Sequence, residues 1–238
     1  MDHIEAINTL IDENQRLVQK YGVCKLSKHK DAIINALLTY IHSTEQKIQD
    51  LNLERQRFPY LTAEFSIFLQ PITNTTAYGL VTVRALYDLI RNDYYKQKTE
   101  TLRAITDKKE ARRYKAQNFD YVTFSGFFTK RDATCLQKHS NMIVIDIDHI
   151  TNVEEIKQKL IKDDYFPTLL LFRSPSGDGL KWVIPIDITA CTHEDWFTSI
   201  ANYLQFTYNL EIDKSGKDVA RACFLCYDPQ AYIHPILL

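Results

Sequence analysis

Residues 142–148 read Met-Ile-Val-Ile-Asp-Ile-Asp, and their alternation decides the fold. A strand turns successive side chains to opposite faces. Ile143, Ile145 and Ile147 therefore share one face, and Val144, Asp146 and Asp148 the other. Thr151 and Glu154 have the spacing of a capping box, which opens a helix carrying Val153, Ile156 and Leu160 on one side. Pro167–Arg173 is an apolar strand, Ser174–Gly179 a turn by composition, and Leu180–Ile186 the next strand. No helix fits between these two strands, so they form a hairpin. Thr192 caps a second helix with Trp196, Ile200 and Leu204, and Ala220–Tyr227 is a final strand. The order β-α-β-β-α-β is that of a ferredoxin-like sheet within an α+β fold.

Working outward, Phe65–Leu69 reads as a strand, Val81–Ile90 as a helix and Tyr121–Phe124 as a strand. Between them, Arg91–Lys115 holds nine basic against four acidic residues, the most basic stretch of the chain. Such runs are usually solvated helix faces, but this one is the best place to touch phosphates, through Arg103, Lys108, Lys109, Arg112 and Arg113. The first 57 residues read as two helices. Ile4, Ile7, Ile11 and Val18 lie near heptad spacing, as do Ile34, Leu37, Ile41, Ile48 and Leu51, with a break at Tyr21-Gly22-Val23. Residues 1–60 fit a helical hairpin packed on its own domain or a coiled coil that dimerises or docks a partner; 61–238 form the α/β domain. Pro59 marks the boundary.

The 238 residues are 45% hydrophobic and 25% charged with a net charge of −1, which excludes a disordered chain and a chain-wide polyanion-binding surface. No stretch approaches the roughly 18 apolar residues of a membrane span, and the apolar runs Met142–Ile145 and Leu169–Phe172 are of core-strand length, so no membrane partner is expected. Five irregularly spaced cysteines and no visible secretory signal point to reduced thiols in a cytoplasm. Cys223 and Cys226 have the spacing of half a zinc site, but they sit within a strand and read better as small buried residues.

A ferredoxin-like sheet has the strand order 4-1-3-2, which sets the end of the first strand beside the beginnings of the third and fourth. Asp146, Asp148, Lys181, Asp213 and Arg221 then meet at one sheet edge. Two carboxylates at i and i+2 project from the same face, close enough to share a hard divalent ion such as Mg²⁺ or Mn²⁺. The turn Ser174–Lys181 contains Gly177 and Gly179, two of only six glycines, and its amides suit an anion. The Walker A spacing is absent. A haloacid-dehalogenase-type phosphatase strand needs Thr or Val where Ile150 stands, and parallel strands where the hairpin falls.

Four stretches in order, Ser125–Arg131, IVIDID (Ile143–Asp148), SPSGDGLK (Ser174–Lys181) and Asp213 with ARACFLCYDP (Ala220–Pro229), resemble the VirE N-terminal domain family of mobile elements. That family looks like a divergent branch of the archaeo-eukaryotic primase, or primase-polymerase, superfamily, whose two-part core includes an RRM-like sheet. The resemblance runs from about Phe65 to the C-terminus. It implies catalytic, metal-binding roles for Asp146, Asp148 and Asp213. It implies nucleotide binding by Ser174, Ser176, Gly177, Gly179, Lys181 and Arg221. In primase-polymerases a histidine ends the second motif, and Lys181 stands in its place; lysine supplies charge without imidazole's geometry. The implied function is a metal-dependent nucleotidyltransferase using nucleoside triphosphates on a DNA template, or an RNA one. The alternative is a catalytically inactive nucleotide- or DNA-binding module partnering a separate helicase.

Overall fold

The computed structural model describes residues 26–212 and 214–238, with Thr9, Asp12, Gln15, Arg16 and Gln19. It divides into two compact units, Met1–Phe58 and Pro59–Leu238. In the first, α1 (Leu26–Arg57) is one continuous helix that exposes Leu37, Ile41 and Ile48. The expected apolar positions Ile4, Ile7, Ile11 and Val18 and the break at Tyr21–Val23 lie outside the described residues. No described helix is long and apolar enough to cross a membrane.

The second unit is mixed α+β. It runs β1 (Glu64–Phe68), β2 (Gly79–Thr82), α2 (Val83–Arg91), α3 (Lys96–Ala104), α4 (Lys108–Asn118), β3 (Tyr121–Thr123), β4 (Gly126–Phe128) and β5 (Leu136–His139). There follow β6 (Met142–Ile147), α5 (Val153–Ile161), β7 (Leu170–Arg173), β8 (Leu180–Pro185), α6 (His193–Tyr208), β9 (Cys223–Phe224) and β10 (Tyr232–Ile233). Two four-stranded sheets result, in the orders β2-β1-β3-β9 and β10-β7-β8-β6, and every named strand pairing is antiparallel.

The alternation of β6 is realised on both of its faces. Ile143, Ile145 and Ile147 pack with Trp182 and Ile184 of β8 against Ile156 and Leu160 of α5 and Phe197, Ile200 and Leu204 of α6. Val144 and Val183 turn the other way, into a core shared with the first sheet through Phe65, Val122 and Phe124. The second sheet is thus sandwiched between two helices and the first sheet, and this buries Trp182 completely. Its indole donates to the Thr168 hydroxyl at 2.7 Å, satisfying the one polar atom that burial would strand.

Three local expectations are corrected. Val81 belongs to β2, and the helix begins at Val83 with Thr82 as its N-cap, accepting from the Ala85 amide. Thr151 makes no capping box: Asn152 is the N-cap of α5 and its side chain turns to Glu155 at 3.2 Å. The order 4-1-3-2 is replaced. Of Ala220–Tyr227 only Cys223–Phe224 is strand, and it pairs with β3 in the first sheet, while Tyr232–Ile233 takes the edge beside β7. The β6–β8 and β7–β8 pairings stand as expected. Thr192 caps α6 through the Asp195 amide.

A pair of histidines ties β5 to the start of α6. His139 Nε2 and His193 Nδ1 lie 3.0 Å apart, one donating to the other, and both rings are shielded. Burial lowers the pKa of His139 to about 4; burial and then the charge of His139 lower that of His193 to about 4. Unfolded histidine titrates near 6.5, so between these values the unfolded chain binds more protons than the folded one. Stability held above about pH 6.5 therefore drains away as the pH falls towards about 4. Thermal denaturation across that window should show a falling midpoint, and the double variant His139→Gln/His193→Asn should flatten the fall. An unchanged slope in the double variant would place the effect elsewhere.

Candidate functional site

β6 ends where the helix-free face of the second sheet runs out of apolar neighbours. Asp146 lies directly across from Lys181 in the β6–β8 register, and Lys181 from Phe172 in the β7–β8 register. Asp146 and Lys181 thus emerge on the face opposite to Ile145 and Trp182, as alternation requires. There they line a pocket of about 340 Å³ together with Asp148, Arg221, Lys115 and Arg131. Ser174, Ser176 and Asp218 border it as well.

The Lys181 ammonium, almost wholly buried, donates to the Asp146 carboxylate, and Arg221 approaches the second Asp146 oxygen at 3.9 Å. Burial alone would lower the Lys181 pKa; the Asp146 charge outweighs it, so Lys181 is held above the usual lysine value. Asp148 reaches solvent, yet partial burial and then the negative charge of Asp146 push its carboxyl above the ordinary aspartate value. Lys115, carried on α4, is half-buried. Burial and then Lys181 hold it below the usual lysine value, with Asp146 and Asp148 pulling the other way.

The β7–β8 turn is built to bring this edge together. Gly177 has φ = 87°, in the left-handed region that favours glycine. The Ser174 amide donates to the Gly179 carbonyl at 2.8 Å and the Gly177 amide to the Ser174 carbonyl at 2.9 Å. At Gly179 the turn presses on the end of β6: a Cβ there would sit 2.4 Å from the Ile147 carbonyl oxygen and 3.1 Å from Asp148 Oδ1. Arg103 of α3 clamps the turn from outside, donating to the carbonyls of Ser174 and Pro175, both at 3.2 Å. His149 Nδ1 and Asp178 Oδ2 close the other side at 2.8 Å.

Arg221 reaches Asp146 by a route other than the expected neighbouring strand. The segment Asp218–Ala222 crosses from the first sheet, and Ser125 holds it by donating to the Val219 carbonyl. Arg131, following the β4 strand, lies over the Tyr121 ring at 5.2 Å and donates to the Ile72 carbonyl at 3.3 Å; its Nε is buried without a hydrogen-bond partner among the described residues. Asp146, Asp148, Lys181, Arg221, Ser174 and Ser176 are therefore brought together. Gly177 and Gly179 shape the turn behind them. Asp213 lies outside the described residues, and among these no group of three or more His, Cys, Asp or Glu side chains is placed to hold a metal.

A groove of about 460 Å³ continues from the pocket and shares Lys115, Asp148 and Ser176 with it; Arg103, Lys108 and Arg112 line it further out. Lys109 and Arg113 are exposed and line neither cavity. Cys223 and Cys226 are buried: burial pushes the Cys223 thiol up to about 12, and the Cys226 Sγ donates to the Arg173 carbonyl at 3.1 Å. Sequence reasoning missed Lys115, Arg131 and Asp218 as pocket residues. Arg131 ends one of the quoted motifs and Lys115 the basic stretch, but neither position announces the direction of its side chain.

The chain belongs to the BT4734-like N-terminal domain family, whose sequence profile matches residues 113–233, just over half of its length. That span contains every charged residue that lines the pocket. No curated protein and no solved structure matches the chain.

The Gly179 contact gives a direct test. Gly179→Ala should force the turn away from β6 and destabilise the protein by about 1–3 kcal/mol through overpacking. Gly79→Ala, where a Cβ meets nothing within 4 Å, should stay within about 0.5 kcal/mol of the parent. Chemical denaturation reads both; equal stabilities of the two variants would refute the close approach.

Proposed function

We propose that the unit Pro59–Leu238 is a metal-dependent nucleotidyltransferase-like domain of the primase/polymerase type, serving DNA replication or mobile-element maintenance. One observation carries this reading: two carboxylates from one strand end face four cationic side chains around a single pocket, at the end of a groove lined by further cations. Carboxylates suit a divalent ion and cations suit a polyphosphate, and nucleotidyl transfer needs both. Described residues of each stretch that resembles the VirE N-terminal domain family line this pocket (Arg131, Asp146 and Asp148, Ser174 and Lys181, Arg221), which supports the same reading.

The donor set is compatible with a hard cation. The Asp148 carboxyl is raised by burial and then by the charge of Asp146, a repulsion that a shared ion would reduce. Asp146 and Asp148 would hold Mg²⁺ or Mn²⁺, with Asp213 the third carboxylate implied by the motif order. Such an ion supplies Lewis-acid activation of a 3′-hydroxyl and neutralises a leaving pyrophosphate. The protein's own groups do the rest. Lys181 and Arg221 fix the Asp146 carboxylate in place, Ser174 and Ser176 border the pocket, and Lys108 and Arg112 offer charges to a sugar-phosphate strand in the groove.

The Lys181–Asp146 pair also favours a second reading. A carboxylate already neutralised by a lysine is a weaker metal ligand, as expected for an inactive nucleotide- or DNA-binding module working beside a helicase. Template-directed nucleotide incorporation with Mg²⁺ or Mn²⁺ separates the two. Activity in the parent protein, lost at least a hundredfold in Asp146→Ala and Asp148→Ala assayed under conditions where both variants remain folded, is the expected outcome. Nucleotide binding without incorporation would leave the binding module.

A further inference from the structure

The family resemblance implies that Lys181 and Arg221 meet the phosphates, yet in the structure both turn to Asp146. Two other cations of the pocket remain. Lys115 rests over the Phe224 ring, its Nζ 5.6 Å from the centroid, and forms no ion pair among the described residues. Arg131 likewise pairs with no carboxylate among the described residues. Its guanidinium is oriented by the Tyr121 ring and the Ile72 carbonyl, and its Nε is buried with no partner among them. A buried donor left unpaired is unfavourable, and the charge of its guanidinium is left for an anion in the pocket to neutralise.

From this geometry we propose that Lys115 and Arg131 are the polyphosphate seat of the pocket, while Lys181 is a built-in counter-charge that positions Asp146. The proposal deepens, and rests on, the reading of the pocket as a nucleotide site. The two residues come from different elements, α4 and the segment after β4, and they border the pocket together with Ser174 and Ser176, whose hydroxyls add donors. A polyphosphate gains there two charge-assisted contacts with no carboxylate to displace, whereas binding to Lys181 must first break its pair with Asp146. The pocket's volume lies at the small end of ligand sites, the size of a charged head group, and the adjoining groove leaves room for the remainder of the nucleotide.

Calorimetric titration of the full chain with inorganic tripolyphosphate and with a nucleoside triphosphate tests this. Lys115→Met and Arg131→Met should each weaken tripolyphosphate binding at least tenfold, about 1.4 kcal/mol. Lys159→Met, whose lysine pairs with Glu155 on the surface of α5, should bind as the parent does. Binding within twofold of the parent in both pocket variants would overturn the proposal, as would absence of tripolyphosphate binding to the parent. Should either variant fail to fold, the unaltered protein still decides: tripolyphosphate should protect Lys115 from an amine-acylating reagent and leave Lys159 reactive, and an unprotected Lys115 refutes the seat. The two readings fail separately. Tripolyphosphate held by Lys115 and Arg131 without nucleotide incorporation removes the transferase reading alone. Incorporation with an unchanged nucleotide KM in both Met variants removes the seat alone.

Discussion

The pairing of Lys181 with Asp146 is the constraint on which the site depends, and the opposite face of the sheet enforces it. The two residues stand directly across from each other because β6 and β8 pair in one register. A slip of one residue would turn Lys181 into the helix-covered core and Trp182 towards the pocket. Trp182, Ile184, Ile145 and Ile147 forbid that slip, since all are buried against α5 and α6. Apolar packing on one side therefore positions charge on the other. The pair is strong for the same reason. It lies where water is scarce, and removing one partner of such a pair typically costs about 3–5 kcal/mol because the other is left uncompensated.

Around that pair the charges form a graded arrangement. Asp146 carries two cationic neighbours, Asp148 is left with a raised carboxyl, and Lys115 and Arg131 form no ion pair among the described residues. A surface built only for stability would neutralise these charges against one another, since a buried unpaired charge is unfavourable. In the proposed reading, a ligand with both a cation and a polyanion would meet Asp148, Lys115 and Arg131, the charges not engaged in the Lys181–Asp146–Arg221 cluster. Perturbed ionisation of several groups in one concave site points the same way.

How far this was legible follows from where the signal lies. The β6 strand, the β7–β8 hairpin and the glycines of its turn were readable because each is fixed by local periodicity or backbone geometry: Ile143, Ile145 and Ile147 at period two, Gly177 at positive φ. The convergence of Asp146, Asp148, Lys181 and Arg221 was legible too, although the topology invoked for it was not. Ala220–Tyr227 has strand character, but nothing in its alternation says which sheet receives it, and only two of its residues pair. Thr151 failed as a cap because Asn152 stands one residue nearer the helix. Lys115 and Arg131 were hidden in a basic run and a motif end, since the direction of Lys115 is set by Phe224 and that of Arg131 by Tyr121 and Ile72, contacts that local periodicity does not announce.

The rerouting of that last strand has a structural consequence for the site. By pairing with β3, Cys223–Phe224 anchors one wall of the pocket to the first sheet, while Asp146 and Lys181 belong to the second. Arg221 spans the two, held at one end by the Ser125 contact to Val219 and directed at the other towards Asp146. Phe224 serves twice, as the paired residue of β9 and as the ring beneath Lys115. The pocket is complete only when both sheets and the core between them, built by Val144, Val183, Val122 and Phe124, are in place. Neither half of the domain carries the arrangement alone: the first sheet lacks the carboxylates, and the second lacks Arg131 and the ring on which Lys115 rests.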